Sequence, residues 1–241
     1  MSIKLDLLAI GVHPDDVEIS CGGTVIKHAA LGKKVGVLHL TGGELGTRGT
    51  EKIRLKEAAA SAKIMGVTLL DNLQFADVFF NNDKIHQLKL IQRIREYQPD
   101  VVICNAVSDR HPDHGKASTL ITTACFYSGL SKILTTGADG KRQLAWRPKA
   151  VYHYIQDRFM DPDFVVDTSA YHSKKMKAIK AYTSQFYDPR SKEKDTYISS
   201  PEFLQSIVSR NAELGRIIGV KFAEGFIAER YPGVDSLFDL K

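Results

Sequence analysis

The stretch Leu5-Asp6-Leu7-Leu8-Ala9-Ile10-Gly11-Val12-His13-Pro14-Asp15-Asp16-Val17-Glu18 decides the fold. Its first part, LDLLAIGV, is a short apolar run suited to a strand buried on both faces. The run ends abruptly on an imidazole and paired carboxylates. Further along the chain, helix-like and strand-like segments alternate. A helix around Thr24 to Leu31 is stopped by Gly32, and Lys34 to Leu40 (KVGVLHL) reads as a second strand. Glu51 to Met65 is a helix ending at Gly66, and Val67 to Phe75 is a strand interrupted by Asp71 and Asn72. Lys84 to Tyr97 is an amphipathic helix closed by Pro99; Asp100 to Ala106 is a strand and Lys116 to Ser128 a helix. Such alternation builds βαβ units with right-handed crossovers. The expected class is α/β: a Rossmann-like, mostly parallel sheet with helices on both faces.

After Gly129 the pattern loosens into a C-terminal elaboration. Short strands are expected at Ala150 to Gln156 and Phe164 to Asp167, and helices near Tyr171 to Phe186 and Glu202 to Gly219. Tyr187 to Ser200 reads as a polar, mobile loop. No linker or repeat interrupts the chain, so one domain over 1–241 is expected, with a core over roughly 1–130 and the elaboration over 131–241.

The 241 residues carry 33 Lys+Arg against 28 Asp+Glu, a formal net charge of +5. Hydrophobic residues make up 43% and charged residues 25%, which excludes a disordered chain too poor in apolar surface to offset its ordering entropy. The basic surplus raises the question of a nucleic-acid partner. The positive residues, however, are interleaved with acidic ones. The densest group, Lys174, Lys175, Lys177 and Lys180, has helical spacing without interleaved aromatics and reads as a solvated helix face. Cys21, Cys104 and Cys125 form no CxxC pair, as expected in a reducing compartment. No secretory segment is recognisable at the N-terminus, and no apolar run of about 18 residues exists. The expectation is a cytoplasmic protein with neither a nucleic-acid nor a membrane partner.

In open α/β sheets ligands bind outside the carboxyl ends of the strands. Two motifs fall at such positions: His13-Pro14-Asp15-Asp16-Val17-Glu18 after the first strand, and His111-Pro112-Asp113-His114 after the strand ending at Ala106. A His-x-x-Asp pair with one His of the second loop would supply three ligands of a catalytic divalent site and leave a position open for water. The remaining carboxylates and His111 are then available for proton transfer. Neither motif contains a cysteine, which argues against a closed structural zinc site. In the competing reading His13 and Asp16 cap a helix, and His111 and His114 sit in a surface loop. The joint appearance of both motifs after two strands of one sheet favours a metal. The loop Thr41 to Gly49 (TGGELGTRG) can approach a ligand closely, but it matches neither G-x-G-x-x-G nor G-x-x-x-x-G-K-[ST], so it does not read as a nucleotide cradle.

VHPDDVE at 12–18 together with HPDH at 111–114 resembles the zinc-dependent N-acetylglucosaminyl deacetylases of the PIG-L/LmbE superfamily. The resemblance extends to TGGELGTRGT, to Arg54 and Glu57 on the following helix, and to SQF at 184–186. AEGF at 223–226 is similar to the bacillithiol-pathway branch, which hydrolyses the acetamide of N-acetylglucosaminyl malate. Other N-acetylated sugars, such as a chitooligosaccharide or a glycolipid, and a non-catalytic carbohydrate-binding role are the alternatives. The resemblance implies His13, Asp16 and His114 as ligands of Zn²⁺, with Fe²⁺ as the alternative metal. It implies Asp15 as general base and His111, charged and oriented by Asp113, near the developing oxyanion. Arg54 matches a sugar-binding arginine and Glu44 lies in the matching glycine-rich loop. Arg48 and Arg110, with Lys116 behind them, are candidates for a substrate carboxylate, because guanidinium forks fit carboxylate geometry. Gln185 is a further candidate substrate contact. The pattern departs at Phe203, where some members carry an oxyanion tyrosine; Tyr197 is the nearby hydroxyl that could replace it. Related enzymes assemble as trimers or hexamers, so a homo-oligomer acting on a small N-acetylglucosaminide is expected.

Overall fold

The computed structural model describes residues 3–240. The first strand, β1 (Leu7–Gly11), is buried at all five positions, and β2 (Val35–Thr41) at all seven. They pair in parallel, Leu7 opposite Val35 through Gly11 opposite His39. The sheet continues through β3 (Leu69–Phe75), β4 (Val101–Cys104), β5 (Ala150–Tyr154), β6 (Phe164–Asp167) and β7 (Ala223–Ala228) in the order β3-β2-β1-β4-β5-β7-β6. The five strands from β3 to β5 are parallel, whereas β7 runs antiparallel between β5 and β6. The order reverses at β1, with β2 on one side and β4 on the other. This is the switch point, where two neighbouring strand ends leave a crevice for a ligand.

Side chains of β1 alternate between two cores, as a period of two requires. Leu8 and Ile10 join Leu38, Leu90, Ile94, Leu120 and Ile121 on the face covered by α3 (Lys84–Tyr97) and α4 (Pro112–Tyr127). Leu7 and Ala9 join Val25, Ile26, Met65 and Ala178 on the face covered by α1 (Asp16–Ala30), α2 (Glu51–Met65) and α5 (His172–Lys180). A third cluster, including Ala58, Ile179, Phe186, Phe203 and Ile207, ties α2 and α5 to α6 (Pro201–Ile217). Among the described residues no helix is long and apolar enough to cross a membrane.

Several elements differ from the sequence expectation. The first helix starts at Asp16 rather than Thr24 because α1 is two helical limbs joined at Cys21, whose φ is −133°. The predicted segment is the second limb. Its leading N–H groups, those of Gly23 and Thr24, donate at 2.9 and 2.7 Å to the Glu224 carboxylate. Glu224 also binds Lys175 Nζ at 2.6 Å, and both side chains are fully buried. Lys175 is thus no part of a solvated face; burial presses its pKa down while Glu224 holds the proton on. Helix α4 begins at Pro112, not Lys116, with proline in the first turn, where no donor is lost. Helix α5 stops at Lys180, and single turns carry the chain on to Phe186. The expectation of a mobile segment at 187–200 meets a loop pinned on two sides. Glu193 accepts from Arg48 Nε and Gly49 N, and Tyr197, in a short 3-10 turn, donates to Asp157.

Candidate metal centre and active site

Strand β1 delivers His13 to the rim, and the chain then turns sharply into α1. Asp15 makes that turn at φ 124° and ψ −24°, outside the regions an L-residue favours. The turn directs Asp15 and Asp16 into one cavity of about 320 Å³, whose wall also includes His13, His111 and His114. The second loop arrives over β4. There His111 Nδ1 accepts the Asp113 backbone N–H at 3.3 Å and so caps α4, which presents His114 one residue later.

The metal-binding atoms of His13, Asp16 and His114 lie within 4.8 Å of one another, and all three residues are buried. His13 Nδ1 is 3.8 Å from Asp16 Oδ2, and His114 Nε2 is 3.1 Å from Asp16 Oδ1. Both rings are held from behind by carboxylates. His13 Nε2 lies 3.0 Å from Asp77 Oδ1, and His114 Nδ1 lies 2.6 Å from Asp109 Oδ2. Metal-ligating histidines are held in this way, with the outer nitrogen bound to a carboxylate and the inner lone pair directed at the ion. Asp16 is fixed at both oxygens: Asn105 Nδ2 donates to Oδ2 at 3.1 Å and Gln156 Nε2 to Oδ1 at 3.2 Å. His114 Nε2, although buried and near Asp16, makes no hydrogen bond to any described residue. With Nδ1 taken by Asp109, Nε2 is the His114 nitrogen left to face a divalent ion beside the Asp16 carboxylate, so these residues fit one.

Charge balance leads the same way. Burial opposes ionisation of Asp16, yet the neighbouring His114 and His13 rings hold its pKa well below the carboxylate range. Burial likewise disfavours charge on His114, but Asp16 and Asp109 outweigh it and push that pKa up. The carboxylates therefore call for a cation between them. Asp77 is drawn down to about 2, its burial outweighed by the bond to His13. Asp15 goes the other way: burial lifts it to about 6, against the pull of Arg54.

His13, His111 and Asp113 form a second metal-capable group, with Asp113 Oδ2 3.9 Å from His13 Nε2. It fits an ion less well. His111 Nδ1 already accepts a helix N–H, which leaves Nε2 to carry the ring proton. Asp113 Oδ1 is neutralised by Lys116 Nζ at 2.8 Å. Burial, reinforced by His13 and His114, lowers the His111 pKa, which works against the expected charged imidazole. The Asp113 carboxylate turns toward Lys116, and what orients His111 is the Asp113 backbone.

Of the other predicted residues, Arg48, Arg54, Arg110, Gln185 and Tyr197 line the same cavity, and Glu44 and Lys116 do not. Arg54 Nη2 donates to Pro14 O at 2.8 Å and lies 3.4 Å from Asp15 Oδ2, so it buttresses that carboxylate. Glu44 Oε1 accepts the Asp77 backbone N–H at 2.7 Å. The buried Arg48 donates to Ser191 and Glu193, which corrects the expectation of a free carboxylate fork. Gln185 holds the Arg48 carbonyl at 2.8 Å. Lys116 reaches Val78 O as well as Asp113. Arg110 Nε pairs with Asp157 at 3.0 Å while its guanidinium stacks 4.3 Å from the Tyr197 ring. The Tyr197 hydroxyl donates to Asp157 at 3.1 Å, and Phe203 lines the wall beneath it.

Asp77, Asp109, Asn105 and Gln156 lie outside the two motifs and were missed in the sequence. Each follows the carboxyl end of β3, β4 or β5, so a search of every strand-end loop for polar side chains would have found them.

Residues 8–125 match the family model described as PIG-L: GlcNAc-PI de-N-acetylase. The chain belongs to the PIG-L family. It is 29% identical over 233 residues to the diacetylchitobiose deacetylase of Thermococcus kodakarensis, covering 91% of this chain and 81% of that one. A conserved protein of Thermus thermophilus has a similar structure, with 33% identity and a TM-score of 0.86 over 97% of this chain and 98% of that one. The N,N'-diacetylchitobiose deacetylase of Pyrococcus horikoshii, solved with an inhibitor, is 26% identical with a TM-score of 0.79, covering 92% of this chain and 82% of that one. The PIG-L match spans both metal loops, from β1 into α4.

Proposed function

We propose that this PIG-L protein is a metal-dependent deacetylase that hydrolyses the acetamide of an N-acetylglucosaminide. One observation carries the reading: His13, Asp16 and His114 converge, with carboxylates behind both rings and a separate buried carboxylate, Asp15, alongside. A divalent ion bound there supplies Lewis-acid polarisation of the acetamide and acidifies a water. Zn²⁺ suits the nitrogen and oxygen donors, and Fe²⁺ accepts the same set.

The chain's own groups do the rest. Asp15 removes the proton of the attacking water and returns it to the departing amine. Arg54 fixes the Asp15 carboxylate. His111 offers its Nε2–H to the developing oxyanion, a role that Tyr197, tied to Asp157, does not take.

The first candidate substrate is N-acetylglucosaminyl malate. It is supported by Arg110, a half-exposed guanidinium on the cavity wall that has only its Nε edge committed to Asp157. Diacetylchitobiose is the second, supported by the two archaeal relatives. AEGF does not discriminate between them through contact, since Glu224 is sealed in the core with Lys175. The test is amine release by metal-loaded protein from N-acetylglucosaminyl malate, diacetylchitobiose and N-acetylglucosamine. The malate glycoside should be preferred, and Arg110→Gln should raise KM for it while sparing diacetylchitobiose. Binding without amine release from any of them would leave a carbohydrate-binding protein instead.

A further inference from the structure

His39, His153 and His172 are buried imidazoles that do not line the cavity. His153, in β5, is 1% exposed. Its Nδ1 lies 2.9 Å from the main-chain oxygen of Asn105, with Ser118 Oγ at 3.1 Å and Cys104 Sγ at 3.4 Å on the same side. Its Nε2 lies 2.7 Å from Glu229 Oε1, which also accepts from Thr122 Oγ1 at 3.1 Å. The Asn105 carbonyl can only accept, so the ring bonds it through an Nδ1–H, and the Glu229 carboxylate holds the opposite nitrogen.

A core histidine is usually satisfied within the core, and its network goes no further. This one continues. Asn105, fully buried just after β4, uses its side-chain Nδ2 on Asp16 Oδ2 at 3.1 Å and on Gln156 Oε1 at 3.0 Å. Gln156 also accepts the Ala106 N–H at 3.2 Å and donates to the other Asp16 oxygen. A carboxylate turns easily about its last torsion; the His13 backbone N–H at 3.0 Å and this pair of amides together fix Asp16. The backbone of one amide is held by His153.

We propose that His153, braced by Glu229, is a positioning residue for the metal centre. By fixing the Asn105 backbone it sets the side-chain amide that orients Asp16 for a divalent ion. The inference rests on the metal-centre reading given under Proposed function. Outer groups that orient metal ligands change metal affinity by about 10- to 100-fold when removed.

The experiment measures Zn²⁺ dissociation constants by competition with a chromogenic chelator for the wild type and five variants. Glu229→Ala and His153→Phe should each weaken Zn²⁺ binding by about tenfold. Glu229→Gln, whose amide can still bond Nε2 as acceptor or donor, should stay within about twofold of wild type. Asn105→Ala should lose at least as much as His153→Phe. Adding His153→Phe to Asn105→Ala should cost nothing further, because the route through the amide is already cut. General loosening of the fold would instead make the two losses multiply. Glu229 is 43% exposed, so Glu229→Ala remains informative even if His153→Phe does not fold. Wild-type affinity in Glu229→Ala, or multiplying losses in the double variant, overturns the proposal. A wild type that binds no Zn²⁺ overturns the metal-centre reading and this proposal with it.

Discussion

Asp15 holds a backbone conformation with φ 124° that few non-glycine residues adopt, and it does so one residue from a candidate metal ligand. Strain of this kind costs about 1–3 kcal/mol and persists where the surroundings over-determine it. Here Arg54 bonds both the Pro14 carbonyl and, at 3.4 Å, the Asp15 carboxylate. On the proposed reading two roles are thereby separated along two adjacent residues: Asp16 as a ligand and Asp15 beside it as the base. Asp15→Asn should keep stoichiometric metal yet lose about 10²- to 10⁴-fold in kcat, measured by amine release alongside metal analysis. Near-normal turnover by that variant would remove Asp15 from its role. Asp77→Asn should behave differently. The amide can still accept from His13 Nε2, but the negative charge that strengthens His13 as a ligand is gone. Metal affinity should fall by about tenfold while the metal-saturated rate changes little, as chelator competition and saturation kinetics would show. The first variant follows from the motif alone and the second does not. HPDD is contiguous in sequence, whereas Asp77 joins His13 only because β3 and β1 end on the same rim.

At the scale of elements, α1 shows what a linear reading can and cannot extract. Its second limb, from about Thr24, was legible because Gly32 stops a good helical run. Its first limb was not, because Asp16-Val17-Glu18-Ile19-Ser20 offers no helical stripe and the break at Cys21 depends on a partner about 200 residues away. That partner, Glu224, comes from β7, a strand also missed because AEGF is too short to show alternation. The central parallel strands β1, β2 and β4 were legible as apolar runs because both their faces are covered, whereas the half-buried edge strand β3 carries Asp71 and Asn72. The Lys175–Glu224 pair has an energetic consequence. A buried ion pair is a poor source of net stability, but breaking one side of it is costly. Glu224→Ala strands the Lys175 ammonium together with the Gly23 and Thr24 N–H groups, and should destabilise the fold by about 3–5 kcal/mol in urea unfolding. The double variant Lys175→Met/Glu224→Gln keeps an acceptor for the helix limb without the buried charge, and should recover most of that loss. A double variant as unstable as Glu224→Ala would show that the charge itself, and not the capping oxygen, holds α1.

For the molecule as a whole, the proposed metal centre joins strand ends. His13 follows β1, Asp77 follows β3, Asn105, Asp109 and His114 follow β4, and Gln156 follows β5. No two of these loops face each other in an unfolded chain, so an ion that binds the native rim has little hold on the denatured state. Its binding energy then adds to folding stability. At a free ion concentration of 100 times the dissociation constant the gain is about 2.7 kcal/mol. For a chain of this length that corresponds to a rise in Tm of about 5–10 °C. Thermal unfolding of metal-saturated and chelator-treated protein should differ by this amount, with the secondary structure unchanged before the transition. His114→Ala removes a ligand and leaves Asp109 without its imidazole, so its melting temperature should be the same with and without added Zn²⁺. A full metal-dependent rise in that variant would mean the ion binds elsewhere on the rim, and His114 would leave the ligand set.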